Sequence, residues 1–128
     1  MILLDTNVLI DLDRYMFDAS EMYGASVLSR AELEFGVQVA ATAHETAVRT
    51  RRLNELDSRF AWLEFDLAAT RSYGLVAANA RAQGARIRSK DALITAQAHR
   101  YGAAVMTSNI ADFRPFDHMV EIVQPRTR

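Results

Sequence analysis

Four acidic residues of this 128-residue chain stand beside segments that read as strand ends or helix starts. Asp5 follows the apolar run Ile2–Leu4 in MILLDTNVLID, Glu32 lies in VLSRAELEFG, Asp112 in VMTSNIADF, and Asp91 in RSKDALITAQAHRYG. Carboxylates brought to one edge repel and raise one another's pKa, a penalty that a bound cation removes. A donor set of oxygens, with no cysteine and no paired histidines, selects Mg²⁺, with Mn²⁺ as its substitute, over zinc. One or two such ions supply activated water, charge neutralisation and leaving-group assistance, which are the requirements of phosphodiester hydrolysis. Each acid also has a capping role open to it. Ser29 to Glu32 is an S-x-x-E capping box, and Asn109 to Asp112 nearly repeats it. Asp91 complements a helix dipole two residues after Ser89, and Asp5 or Thr6 is placed to cap a first helix.

The elements that must position these acids alternate in type. Ile2–Leu4 has the continuous apolar form of a strand covered on both faces. Asn7–Asp13 reads as one or two helical turns. Gly24–Leu28 is a second strand, after which Ser29 caps a helix running to about Ala41, with Leu33, Gly36, Val37 and Ala40 at helical spacing. His44–Arg59 suits an exposed amphipathic helix that carries Arg49, Arg51 and Arg52 on its outer face. Ala61–Phe65 is a third strand. A helix with Tyr73, Val76, Ala77 and Ala80 on one face follows and stops at Gly84; another runs from Ser89 to Gly102. Ala103–Met106 and Met119–Val123 are the fourth and fifth strands, and the polar tail Gln124–Arg128 is expected to fray. The pattern is α/β: helical layers on both sides of a mainly parallel sheet of about five strands, in a single domain over residues 1–128. Loops leaving parallel strands emerge along one edge, where ligands bind. Asp91 opens the helix leading into the fourth strand, so its arrival at that edge is the least automatic of the four.

Half of the residues are hydrophobic and 24% are charged, the balance of a globular chain rather than a disordered or membrane one. No stretch approaches the roughly 20 apolar residues that span a bilayer. The apolar start lacks a basic leader and is interrupted by Asp5 and Asp11, so it is not expected to be a signal peptide. The absence of cysteine excludes disulfides, zinc ribbons and thiol catalysis, and suits the reducing cytoplasm. A net charge of −1 argues against a generic basic nucleic-acid binder. Fourteen of the fifteen cationic residues are arginine, however, and arginine favours phosphate and carboxylate. Setting the four acids aside turns the formal charge from −1 to +3. Arg86, Arg88 and Lys90, just upstream of Asp91, and Arg30 beside the second motif are candidate phosphate contacts; a solvated surface is the alternative. His44, His99 and His118 show no ligand spacing and read as surface or structural residues. Trp62, Phe65 and Tyr73 read as core.

Taken in order, MILLDTNVLID, AELEFG, KDALITAQA and VMTSNIADF resemble the motifs of PIN-domain ribonucleases, most nearly the VapC toxins of bacterial and archaeal toxin–antitoxin pairs. The likeness runs over essentially the whole chain. It implies a PIN-like three-layer α/β/α domain and a Mg²⁺- or Mn²⁺-dependent endoribonuclease that cuts structured transfer or ribosomal RNA, leaving 5′-phosphate and 3′-hydroxyl ends. Residue by residue, it implies that Asp5, Glu32 and Asp91 bind the metal. Glu32 is preferred to Glu34 because the family's acid stands immediately before a leucine and four residues before a glycine, as Glu32, Leu33 and Gly36 do. At the fourth motif some members carry aspartate where this chain has Asn109, and others use the aspartate three residues on, here Asp112. A neutral amide is a weak donor, so Asp112 is expected to complete the site with Asn109 assisting. Thr6 and Thr107 also match and are expected to orient carboxylates or water. The resemblance further implies a VapB-like antitoxin that covers the active site, and a homodimer. The stretch Tyr15–Tyr23 is open to two readings, part of a hydrophobic groove for a partner or a short helix packed on the core.

Three rivals stand beside this reading. A phosphatase with Asp5 as nucleophile wants a second aspartate two residues on, where Asn7 stands. A catalytically silent PIN-like module would bind RNA or protein without cleaving. A housekeeping RNA-processing PIN nuclease would share the chemistry, although its larger relatives often carry extra domains.

Overall fold

The apolar run at the N-terminus becomes strand β1 (Ile2–Leu4) in the computed structural model, which describes residues 1–128. Next come α1 (Thr6–Ile10), a 3-10 turn (Leu12–Arg14), β2 (Tyr15–Met16), β3 (Tyr23–Ser26), α2 (Val27–Gln38) and α3 (Ala43–Arg59). The second half holds β4 (Trp62–Leu63), α4 (Leu67–Ala82), α5 (Ser89–Tyr101), β5 (Ala104–Met106), α6 (Ile110–Phe113), a 3-10 turn (Arg114–Phe116), β6 (Ile122–Val123) and β7 (Arg126–Thr127). β1 lies at the centre of a five-stranded sheet of order β4-β3-β1-β5-β6 in which every neighbouring pair is parallel. Ile2 stands opposite Tyr23 on one side and Ala104 on the other.

Alternation along β1 divides the core. Leu3 points into a cluster with Val76 and Ala80 of α4, Ala92, Ile94 and Ala98 of α5, and Phe113 and Phe116. Leu4 points into a second cluster with Val8 and Leu9 of α1, Ala25 of β3 and Leu56 of α3. A strand with both faces covered must be apolar throughout, as Ile2–Leu4 is. The three-layer α/β/α fold expected from the sequence is therefore the one formed. No helix is long and apolar enough to cross a membrane.

Four local expectations change. The cap of α2 is Ser26, whose extended backbone and Oγ, accepting from Leu28 N–H at 3.0 Å, start the helix three residues before Ser29. Ser29 lies buried in the first turn with its Oγ unpartnered, so it forms no capping box with Glu32. β4 is two residues rather than five, because Gln97 Nε2 of α5 donates to the carbonyls of Leu63 and Glu64 at 2.8 and 2.9 Å, where the ladder would have continued. The tail does not fray: β7 pairs antiparallel with β2, and Arg128 N–H donates to Arg14 O at 3.0 Å. The side chains of Arg126 and Thr127 are exposed, as their polarity requires, while their backbone satisfies an edge that Tyr15 and Met16 leave open. The segment from Tyr15 to Tyr23 is a short strand and a loop rather than a helix. Phe17 packs edge-on against Tyr23 at 5.0 Å, and both line an apolar depression of about 290 Å³ with Leu4, Leu12, Arg59 and Phe60.

α5, the element that carries Asp91, ends cleanly. Gly102 takes φ 64°, a left-handed conformation that side-chain-bearing residues avoid, and returns the chain to the sheet at β5.

Candidate active site where the strand order reverses

From β1 the chain builds outward to β3 and β4, then crosses over to β5 and β6, so the strand order reverses at β1. The crevice beyond the carboxyl end of such a strand is where open α/β sheets take their ligands. Asp5 leaves β1 at that point, its N–H continuing the ladder to Met106 O at 2.9 Å. Its Oδ1 accepts from Thr6 N–H at 2.8 Å and so caps α1, while Oδ2 accepts from Thr107 Oγ1 at 2.9 Å and Asn7 Nδ2 at 3.2 Å. Capping and facing the crevice are thus simultaneous for Asp5. Burial pushes its carboxyl above the usual aspartate range, against the hydrogen bonds from Thr107 and Thr6 and the charge of Lys90.

Glu32 reaches the same crevice from α2. Its Oε1 accepts from Thr6 Oγ1 at 2.9 Å, and Lys90 Nζ lies 2.6 Å from Oε2. Asp91, in the first turn of α5, is buried at 8% exposure. A helix N-terminus ordinarily favours a carboxylate. Here desolvation and then the charge of Asp5, reinforced by Asp112, prevail over Lys90 and Arg88, and the Asp91 carboxyl rises to about 6. Asp112, in the first turn of α6, has Arg88 Nη1 at 3.5 Å.

All four acids line one cavity of about 270 Å³, together with Thr6, Asn7, Ile10, Arg88, Lys90 and Asn109. As they stand, no three acidic or histidine side chains converge closely enough to ligate one ion. Two of the acids are drawn instead to cations of the chain itself, Glu32 to Lys90 and Asp112 to Arg88. The donor chemistry nevertheless fits a hard divalent ion: every donor is oxygen, and the acids raise one another's proton affinity in the manner of a site short of positive charge.

Of the supporting residues expected from the sequence, Thr6 bridges Asp5 and Glu32, and Thr107 fixes Asp5. Asn109 lines the cavity and donates its N–H to Thr107 Oγ1 at 3.0 Å. Arg88 and Lys90 line the cavity, whereas Arg86 is exposed and does not. Arg30 is a correction. It turns away from the acids into a bidentate pair with Asp57, Nε to Oδ1 at 2.9 Å and Nη2 to Oδ2 at 3.0 Å, and also meets Glu34. Asn7 is the residue that sequence reasoning passed over. Besides Asp5 it touches Thr107 Oγ1 at 3.4 Å and accepts from Ser108 N–H at 3.2 Å, tying the β1 and β5 loops together; the available signal was its place in Asp5-Thr6-Asn7. Arg49 and Arg52, expected on an outer face, line a groove of about 460 Å³ that shares Thr6, Ile10 and Glu32 with the acid cavity. His99 pairs with Ser72 through Nδ1 and Oγ at 2.8 Å, and no histidine lines the acid cavity.

A family model describing the PIN domain matches residues 2–118. By sequence the chain is similar to Ribonuclease VapC4 of Mycobacterium tuberculosis, 32% identical over 111 residues that cover 84% of this chain and 85% of that protein. It is also similar to VapC ribonuclease Y4jK of Sinorhizobium fredii, 35% identical over 126 residues, 88% of this chain and 90% of the relative. By structure it resembles FitAcB from Neisseria gonorrhoeae, with a TM-score of 0.80, 27% identity and 96% of each chain covered. VapBC-5 from Mycobacterium tuberculosis, a member of the VapBC family of toxin–antitoxin systems, gives a TM-score of 0.79 at 27% identity, covering 98% of this chain and 97% of that one.

Proposed function

The chain belongs to the PIN-domain family, and from that premise we propose that it is a divalent-metal-dependent endoribonuclease of the VapC kind, the toxin of a toxin–antitoxin pair. The observation that carries this reading is the meeting of Asp5, Glu32, Asp91 and Asp112, from four separate elements, in one cavity at the carboxyl end of the central strand.

In this mechanism Asp5, Glu32 and Asp91 would hold Mg²⁺ or Mn²⁺, with Asp112 completing the set and Asn109 beside it. An ion held there would supply an activated water and neutralise charge developing on the phosphate. Thr107, Asn7 and the Thr6 N–H fix the carboxylate of Asp5, and the Thr6 hydroxyl fixes that of Glu32. Burial and the charge of Asp5 raise the Asp91 carboxyl to about 6, so that at neutral pH it is mostly ionised and can serve as an oxygen donor. Arg88, exposed at the rim, meets the incoming phosphodiester, and structured transfer or ribosomal RNA is the substrate class. A VapB-like antitoxin segment is the partner. The groove beside the cavity suits an amphipathic segment, since it presents the half-exposed apolar side chains of Ile10 and Val48 next to Arg49 and Arg52.

The test is cleavage of RNA by the purified chain in Mg²⁺ or Mn²⁺. Loss of cleavage in EDTA and in Asp5→Asn is expected; cleavage that persists in excess EDTA overturns the metal reading and implicates the histidines. Sequencing RNA 5′ ends after induction of wild type and Asp5→Asn identifies the substrate, which should appear as enriched ends in the wild type alone.

A further inference from the structure

Lys90 is the only lysine in a chain with fourteen arginines, and it lies inside the acid cavity. We propose that Lys90 is a resident counter-ion that competes with the divalent cation for Glu32, so that it sets how tightly the cavity takes that ion. The inference rests on the metal reading above and adds to it a residue that opposes the metal.

Three observations support it. The ammonium lies 2.6 Å from Glu32 Oε2, and the other oxygen of Glu32 is occupied by the Thr6 hydroxyl, so an incoming ion meets a carboxylate whose contacts are already made. The charge of Lys90 acts on Asp5 and Asp91 as well as on Glu32, which places it among three of the four acids. Lys90 also stands in the first turn of α5, the end of a helix at which a cation is unfavourable, so helix stability does not explain its presence.

The residue type matters. An ammonium is a compact point charge on a flexible stem, closer to a small metal ion in shape than the flat guanidinium that occupies every other cationic position. Its side chain is 56% exposed and can swing to solvent without opening the core. A divalent ion taken by Glu32 would compete with the ammonium for the carboxylate, and the two cations would repel. Metal binding therefore includes the release of Lys90, and removing Lys90 removes that cost.

The experiment is a Mn²⁺ titration of the metal-free full chain at pH 7.5 and low salt, read by calorimetry and by the spin-resonance signal of free Mn²⁺. Wild type, Lys90→Met, Lys90→Gln and Lys90→Arg are compared, each also in a Glu32→Gln background. Lys90→Met and Lys90→Gln should bind Mn²⁺ about three- to tenfold more tightly, the range expected for loss of a partly screened ion pair. Lys90→Arg, which keeps the charge but not the compact shape, should fall between wild type and the neutral variants, and the gain should vanish when Glu32 is already Gln. The Mn²⁺-induced rise in melting temperature should follow the same order, and two neutral variants guard against one that folds poorly. Unchanged or weaker binding in both neutral variants overturns the proposal while leaving the metal reading intact. Absence of Mn²⁺ binding in wild type and variants alike removes the metal reading and this proposal with it.

Discussion

Asp66 and Asp5 both cap helices, and the chain treats them in opposite ways. Asp66 accepts from Ala69 N–H at 2.9 Å to start α4 and takes the guanidinium of Arg100, whose Nε and Nη2 lie 3.1 and 3.0 Å from Oδ2. Arg100 holds its carboxyl below the usual range. Asp57 is similar: the hydrogen bonds from Arg30 outweigh burial, and the indole N–H of Trp62 at 2.7 Å helps to hold it low. Asp5 and Asp91 are more deeply buried, have no arginine in hydrogen-bonding contact, and are pushed upward, Asp91 to about 6. The position of an acid at a helix start does not separate the two kinds. What separates them is burial first, which raises Asp5 and Asp91, and then the arginine partner that Asp57 and Asp66 have and the two buried acids lack.

That contrast breaks most visibly if the acids are exchanged in their effects. Asp5→Asn should lower RNA cleavage by about a thousandfold or more, the effect that the proposed metal-holding role of Asp5 requires, with the fold intact by circular dichroism. Asp57→Asn should leave cleavage within about twofold of wild type, since it lies outside the transition-state contacts. A comparable fall in both would sink the distinction. Thr107→Val removes the hydroxyl that donates to Asp5 Oδ2 and should cost about tenfold in cleavage at neutral pH, the scale of a residue that orients a ligand. Without that donor the Asp5 carboxyl rises further, so the rising limb of the pH–rate profile should move to higher pH.

Asp91→Asn sharpens the contrast through stability. A folded-state pKa near 6 lies above the unfolded value of 3.8, so the folded form binds the proton more tightly. Ionised Asp91 therefore costs stability above about pH 6; the cost shrinks as pH falls through 6 and is gone below the unfolded value. Metal-free Asp91→Asn should be more stable than wild type at pH 7.5 by about 1–2 kcal/mol, after allowance for screening on the open side of the cavity. The advantage should disappear near pH 4, in melts run with EDTA. For Asp57 and Asp66 the sign reverses: their lowered carboxyls contribute stability at neutral pH that is lost as pH falls through their folded values.

The layered sheet and the four acids were legible because the signals are local: an apolar run, a helical period, an acid next to each. The misreadings required partners distant in the chain. Ser26 rather than Ser29 starts α2 because β3 extends to Ser26, which stands opposite Leu63 in β4, and nothing in VLSRAE reveals where that pairing ends. The tail looked free because its backbone partners, Tyr15 and Met16, lie at the other end of the sequence. Arg30 looked like a site residue because it is two positions from Glu32. Two positions along a helix is a rotation of about 200°, which sends the two side chains to opposite faces. Glu32 therefore meets Thr6 and Lys90 while Arg30 meets Asp57 of α3.

The smallest expected effect tests that last geometric point. Arg30→Ala should lower stability by about 0.5–1 kcal/mol and leave cleavage unchanged, because the pair is bidentate but about one-third exposed on each side. The loss should shrink in high salt, which screens an open pair, and at acid pH, where Asp57 takes up its proton. Trp62 keeps Asp57 as its acceptor in this variant, so the measured change reports the ion pair rather than the edge strand. If Arg30→Ala instead reduced RNA cleavage several-fold at unchanged melting temperature, the arginine would have to leave Asp57 to reach substrate. The division between acids paired with arginine and acids buried without one would then fail at its most exposed member.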